Sequence, residues 1–157
     1  MFRTRTTKSA DPKVDLLKVV PELAKLSYRD LAALALHFDD LDIAAGQSLI
    51  REGQAGRELF LIVDGQAVVS LRDEVLATVG AGEFVGEMTL FERLPRSATV
   101  TALTPMRVLV AGMRSFDALR SHPMVLRRLV ITLAGRLRTL QGSPSSWSDV
   151  GFAHVRT

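Results

Sequence analysis

The sequence contains no cysteine, which excludes disulfides, thiolate metal sites and cysteine nucleophiles together. Histidine is scarce: His37, His122 and His154 lie far apart and have none of the spacings that hold a structural metal. No apolar run approaches the roughly 18 to 20 residues that a membrane-spanning helix needs. The N-terminal stretch MFRTRTTKSADPK is basic and has no hydrophobic segment after it, so it does not read as a secretory signal. A cytoplasmic location is the expectation. There is also no nucleophile elbow, no Walker loop and no pair of carboxylates spaced for catalysis, and no enzyme activity is expected.

What is present suits one folded domain. The 157 residues are 47% hydrophobic and 24% charged, enough for a real core in a globular chain. The charges are unevenly placed. Residues 1–13 carry four basic groups against one acidic, and residues 120–157 carry six against one. The segment between them carries ten basic and fifteen acidic residues. A general polyanion binder would be basic over its folded body. An anion bound in the middle segment must therefore be held by specific groups.

Residues 1–10 read as a disordered basic tail and residues 141–157, with their GSPSSWSDVG run, as a linker or second tail. Asp11 before Pro12 predicts a capped helix to about Val20, stopped by Pro21. Ser27 and Asp30 form a capping-box pattern ahead of a second helix with Leu31, Leu34, Ala35 and Phe38 on one face. From Leu41 the period changes to short segments rich in Val, Ile, Leu and Thr, separated by turns such as EGQAGR, DGQ and RDE. Such strands argue for a β-sandwich or barrel. The helical period returns at Ser115. From Pro123 onward Leu126, Leu129, Val130, Leu133, Leu137 and Leu140 form an expected apolar stripe, with Arg127, Arg128 and Arg138 largely off it.

The chemistry concentrates in FVGEMTLFERLPRSATV, residues 84–100. Glycines 80, 82 and 86 loosen the chain before EMTLFE, which is long enough for only one or two helical turns. A short helix there would point backbone N–H groups at whatever lies beside Gly86. Pro95 then fixes the approach to Arg96. A guanidinium beside aligned N–H groups suits a phosphate, and a neighbouring carboxylate suits a sugar hydroxyl. On spacing alone, Glu87 and Arg96 could equally form an ordinary salt bridge.

The full pattern, F-x-G-E, a helical turn and then P-R-S-A-T-V, resembles the phosphate-binding cassette of the cyclic nucleotide-binding domain family. The resemblance covers roughly residues 12–140 and is supported by the glycine turn in VDGQAVV, residues 63–69. It implies an α+β fold: an eight-stranded antiparallel β-barrel (jelly roll) flanked by N-terminal helices and a C-terminal helix pair. The implied limits are 11–40 for the first helices, 41–112 for the barrel with its cassette at 84–98, and 115–140 for the last helices. It further implies that Gly86 and Glu87 contact a ribose 2′-hydroxyl, with Glu87 as acceptor. Arg96 would bind the cyclic phosphate, aided by Ser97 and by backbone amides near Met88. Val69 and Leu76 would lie under the base, and Arg136 or Leu140 over it. The implied ligand is cyclic AMP, with cyclic GMP as the alternative, and no metal or cofactor is expected.

No winged helix-turn-helix, kinase, cyclase or channel segment follows the long helix, so a stand-alone receptor signalling through an unidentified partner protein is the leading expectation. The alternatives are a cyclic-AMP-responsive transcription regulator or a fragment of a larger regulated protein. Arg127, Arg128, Arg136 and Arg138 are spaced as a solvated helix side, so direct nucleic-acid binding is not expected.

Overall fold

The computed structural model describes residues 11–88 and 93–141. The first expected tail, residues 142–157 of the second and residues 89–92 of the expected short helix lie outside the described residues, while Gln141 belongs to the last helix.

The N-terminal helices begin where the sequence offers caps. Helix α1 (Pro12–Leu17) opens with the Asp11 carboxylate accepting from the Lys13 amide at 3.0 Å. It ends at Leu17, earlier than expected. Pro21 does not merely stop it but starts α2 (Pro21–Ala24), taking the first helical position, where a missing N–H costs nothing. Helix α3 (Tyr28–Ala35) begins with the Ser27 hydroxyl accepting from the Asp30 amide at 3.2 Å, and it buries Leu31, Leu34 and Ala35.

Among the described residues eight strands follow: β1 (Asp39–Ile43), β2 (Ser48–Ile50), β3 (Leu59–Asp64), β4 (Gln66–Leu71), β5 (Glu74–Gly80), β6 (Phe84–Val85), β7 (Thr99–Ala102) and β8 (Met106–Ala111). They form two antiparallel four-stranded sheets, ordered β1-β8-β3-β6 and β2-β7-β4-β5. The strand content matches the expectation, but the closed barrel does not: the two sheets are separate hydrogen-bonded ladders. Gly65 is where the chain leaves one sheet for the other. It stands alone between β3 and β4 with φ of 94°, and a Cβ there would lie 2.5 Å from the Pro105 carbonyl oxygen.

Period-two alternation makes the first sheet a shared wall between two cores. From β3, Leu59 and Leu61 pack with the helices, while Phe60 and Ile62 pack toward the second sheet. From β8, Leu109 and Ala111 take the helix side, and Met106 and Val108 take the other. The two residues of β6 divide in the same way, Phe84 to the helices and Val85 to the inter-sheet core.

The described residues end with α4 (Met113–Arg120) and α5 (Pro123–Gln141). The inward face of α5 differs from the expected stripe. Val125, Leu129 and Thr132 are buried, whereas Leu126 and Val130 are 41% and 56% exposed. This rotation turns Arg128 inward, to within 3.7 Å of Glu22 on α2. Arg136 lies on the same row, at i+4 from Thr132. The side chains of Leu137 and Leu140 lie outside the described residues.

Candidate functional site

Two loops meet at the end of the sandwich where β3 begins. The backbone of residue 96 is tied to the 51–58 loop in both directions: the Gly53 amide donates to the Arg96 oxygen at 2.8 Å, and the Arg96 amide donates to the Gln54 oxygen at 2.9 Å. This pairing aims the Arg96 side chain inward, where it is 6% exposed. Its Nη2 donates to the Glu58 backbone oxygen at 2.9 Å and to the Glu58 carboxylate at 3.3 Å, and its Nη1 donates to the Gly86 oxygen at 3.2 Å. Burial lowers the pKa of this guanidinium, an effect opposed by the Glu58 and Glu87 carboxylates.

Glycine is required where the backbone crowds this group. Gly86 has φ of 88°, and a Cβ there would stand 2.6 Å from the Glu58 oxygen and 2.8 Å from Arg96 Nη1. Both the conformation and the space exclude a side chain. At Gly56 the objection is purely steric, because a Cβ would lie 2.7 Å from Arg96 Nε.

Glu87 follows Gly86 and is 1% exposed. Its Oε1 accepts from Arg136 Nη1 of α5, and Arg136 Nη2 also donates to the Phe84 oxygen at 2.6 Å. The second carboxylate oxygen, Oε2, is buried and has no hydrogen-bond partner among the described residues. Burial raises the Glu87 pKa above the ordinary carboxylate value; Arg136 and, more weakly, Arg96 oppose that rise, and Glu83 adds to it. A buried acceptor left unmatched costs about 1 to 3 kcal/mol. Glu87 is thus a carboxylate held by one oxygen and able to accept a donor at the other.

The remaining expected residues lie on several elements. Ser97 is exposed, one position beyond Arg96, and Met88 is 44% exposed. Val69 packs on the margin of the inter-sheet core. Leu76 is the extra residue of a bulge: Val69 pairs with Ala77 and Ser70 with Val75, leaving Leu76 unopposed. Arg136, expected over a base, donates to two residues of the cassette, Glu87 and Phe84. Leu140 lies outside the described side chains. Glu58 and Gly56 also face Arg96 and were not expected at the site. Both sit in EGQAGRE, which reads as a turn and gives no local sign that it folds onto Arg96.

Among the described residues no cluster of His, Cys, Asp or Glu could hold a metal ion, and no helix is long and apolar enough to cross a membrane. A guanidinium and an acceptor carboxylate in one glycine-shaped recess suit a ligand with one anionic group and one hydroxyl.

Residues 41–122 match the family model described as the cyclic nucleotide-binding domain. The chain is similar to the cAMP-dependent protein kinase regulatory subunit of Eremothecium gossypii, 39% identical over 73% of this chain and 25% of that protein. It is also similar to the CRP-like cAMP-activated global transcriptional regulator of Mycobacterium tuberculosis, 30% identical over 69% of this chain and 51% of that protein. The catabolite activator protein of Thermus thermophilus has a similar structure, with a TM-score of 0.66 and 25% identity, covering 82% of this chain and 63% of that one. The chain spans about a quarter of the first relative and about half of the second.

Proposed function

The chain belongs to the cyclic nucleotide-binding domain family, and from that premise we propose that it is a receptor module for cyclic AMP. In this reading the cyclic phosphate meets Arg96, with Ser97 and the backbone near Met88 beside it. The ribose 2′-hydroxyl donates to Glu87 Oε2. Val69 and Leu76 face the purine.

One observation carries the reading furthest. Glu87 presents an unmatched buried oxygen within the cassette while its other oxygen is bound to Arg136 of α5. The same carboxylate therefore serves the ligand and the last helix. A ligand hydroxyl on Oε2 changes the charge that Arg136 feels through Oε1, so occupancy is relayed to α5 and from there to a partner protein. A second reading, a sensor segment within a larger regulated protein, is favoured by the small share of its kinase and transcription-regulator relatives that the chain spans. The binding chemistry is the same in both.

The test is a calorimetric titration with cyclic AMP and with 2′-deoxy cyclic AMP. A hydrogen bond to a charged group contributes about 1.5 to 3 kcal/mol, so the deoxy analogue should bind about 10- to 150-fold more weakly. Glu87→Gln should narrow that gap. Equal affinity for the two ligands would remove the ribose role from Glu87, and no binding of cyclic AMP would remove the proposal.

A further inference from the structure

Arg96 is held more firmly than a phosphate-binding guanidinium needs. Two backbone oxygens, those of Glu58 and Gly86, already fix its direction, and the 53–54 loop fixes its backbone. The Glu58 carboxylate, 3.3 Å from Nη2, is therefore not required to position the side chain. It is also 54% exposed, at the solvent side of a guanidinium that is only 5% exposed. What it adds is a negative charge at the mouth of an anion site. Among the described residues the two ion pairs, Arg96 with Glu58 and Arg136 with Glu87, each balance one positive charge with one negative. The adjoining cavity, lined by Gly56, Leu94 and Pro95, also carries Arg57 and Arg93. The Arg57 guanidinium donates from Nη1 to the Met113 sulfur at 2.7 Å.

We propose that Glu58 sets the charge selectivity of the site, making Arg96 accept a singly charged phosphodiester and disfavour a doubly charged phosphate monoester. The inference rests on the reading above that Arg96 receives the ligand phosphate. A cyclic phosphate is a diester and carries one charge, whereas a monoester carries roughly 1.5 to 2 at pH 7, because its second pKa is near 6. Repulsion from a fixed carboxylate scales with ligand charge, so its logarithmic effect on affinity is doubled for the dianion. Glu58 thereby separates the cyclic ligand from its own ring-opened product, 5′-AMP, which shares the base and the ribose 2′-hydroxyl.

The experiment compares cyclic AMP and 5′-AMP by calorimetric displacement at pH 7.5 on the wild type, Glu58→Gln and Glu58→Asp. The half-exposed position of Glu58 moderates the field, and Glu58→Gln should tighten cyclic AMP by about fivefold and 5′-AMP by about 25-fold. Glu58→Asp, which keeps the charge, should keep the wild-type ratio. If Glu58→Gln shifts both ligands equally, or weakens both, Glu58 is a positioning group and the selectivity role is wrong. A wild type that binds cyclic AMP in that case leaves the reading of the site intact. A wild type that binds neither ligand overturns the reading and the inference together.

Discussion

At the scale of single residues the site is governed by a carboxylate that burial pushes toward its neutral form. Desolvation is the largest influence on Glu87, and Arg136 is the strongest force opposing it. An acid whose folded pKa is raised contributes most to stability below its unfolded pKa and loses that contribution as pH rises through the folded value. Removing Arg136 takes away the main opposition, so the Glu87 pKa should rise further. Arg136→Gln should then destabilise the fold more at pH 7.5 than at pH 4.5, because a further rise in the Glu87 pKa penalises the charged carboxylate increasingly as pH rises. Breaking a fully buried pair costs about 3 to 5 kcal/mol; because Arg136 is 34% exposed, about 1 to 3 kcal/mol is expected at pH 7.5. Urea unfolding at the two pH values measures the difference. An equal loss at both would mean that Arg136 acts only through its bond to the Phe84 oxygen. The pairing itself was not legible in the sequence. Arg136 and Glu87 are 49 positions apart, and helical spacing alone places Arg136 on a solvated face.

At the scale of elements, the local grammar of the chain was mostly readable and the orientation of elements was not. Asp11 and Ser27 cap helices as their types require, and the alternating segments became strands. Strand β6 has two residues, too few for a period to show, and it exists because Phe84 and Val85 pair with Leu61 and Phe60 of β3. The leucine stripe of α5 misled for a different reason. Hydrophobicity alone favoured Leu126 and Val130, but the face that seats the helix buries Val125 and Leu129 and carries two ion pairs, Arg128 with Glu22 and Arg136 with Glu87. That seat is imperfect: Glu22 Oε2, Arg128 Nε and Thr132 Oγ1 are buried without a hydrogen-bond partner among the described residues. An interface with unmatched polar atoms is weaker than an apolar one of equal area. Helix α5 is therefore the element whose seat we expect a ligand to shift, to the extent of its differential affinity for two arrangements. Cyclic AMP should slow amide hydrogen exchange in residues 125–140 as well as in 84–98. Protection confined to 84–98 would make α5 a fixed wall and remove it from the relay.

For the whole molecule, the shared use of the first sheet decides how a local ligand is felt. Leu59 and Leu61 belong to the helix-side core, and Phe60 and Ile62, between and after them on the same strand, belong to the inter-sheet core. Neither core can come apart without moving the backbone on which the other is built, so one cooperative transition is expected on heating. The recess draws on both sides of that wall, since Gly86 and Glu87 continue directly from β6, which contributes Phe84 to one core and Val85 to the other. A ligand that binds only the folded form stabilises it by about 2.7 kcal/mol at a concentration 100 times its Kd. For a chain of 157 residues, each kcal/mol is worth about 2 to 4 °C, so cyclic AMP should raise the melting temperature by about 5 to 10 °C. Arg96→Ala should abolish most of that rise at the same ligand concentration if the guanidinium meets the phosphate as proposed. Differential scanning calorimetry separates the outcomes. A single endotherm that moves as a unit supports one domain built on a shared sheet. Two endotherms, with only one moved by the ligand, would show that the helical layer and the sandwich unfold separately and that binding reports on only one of them.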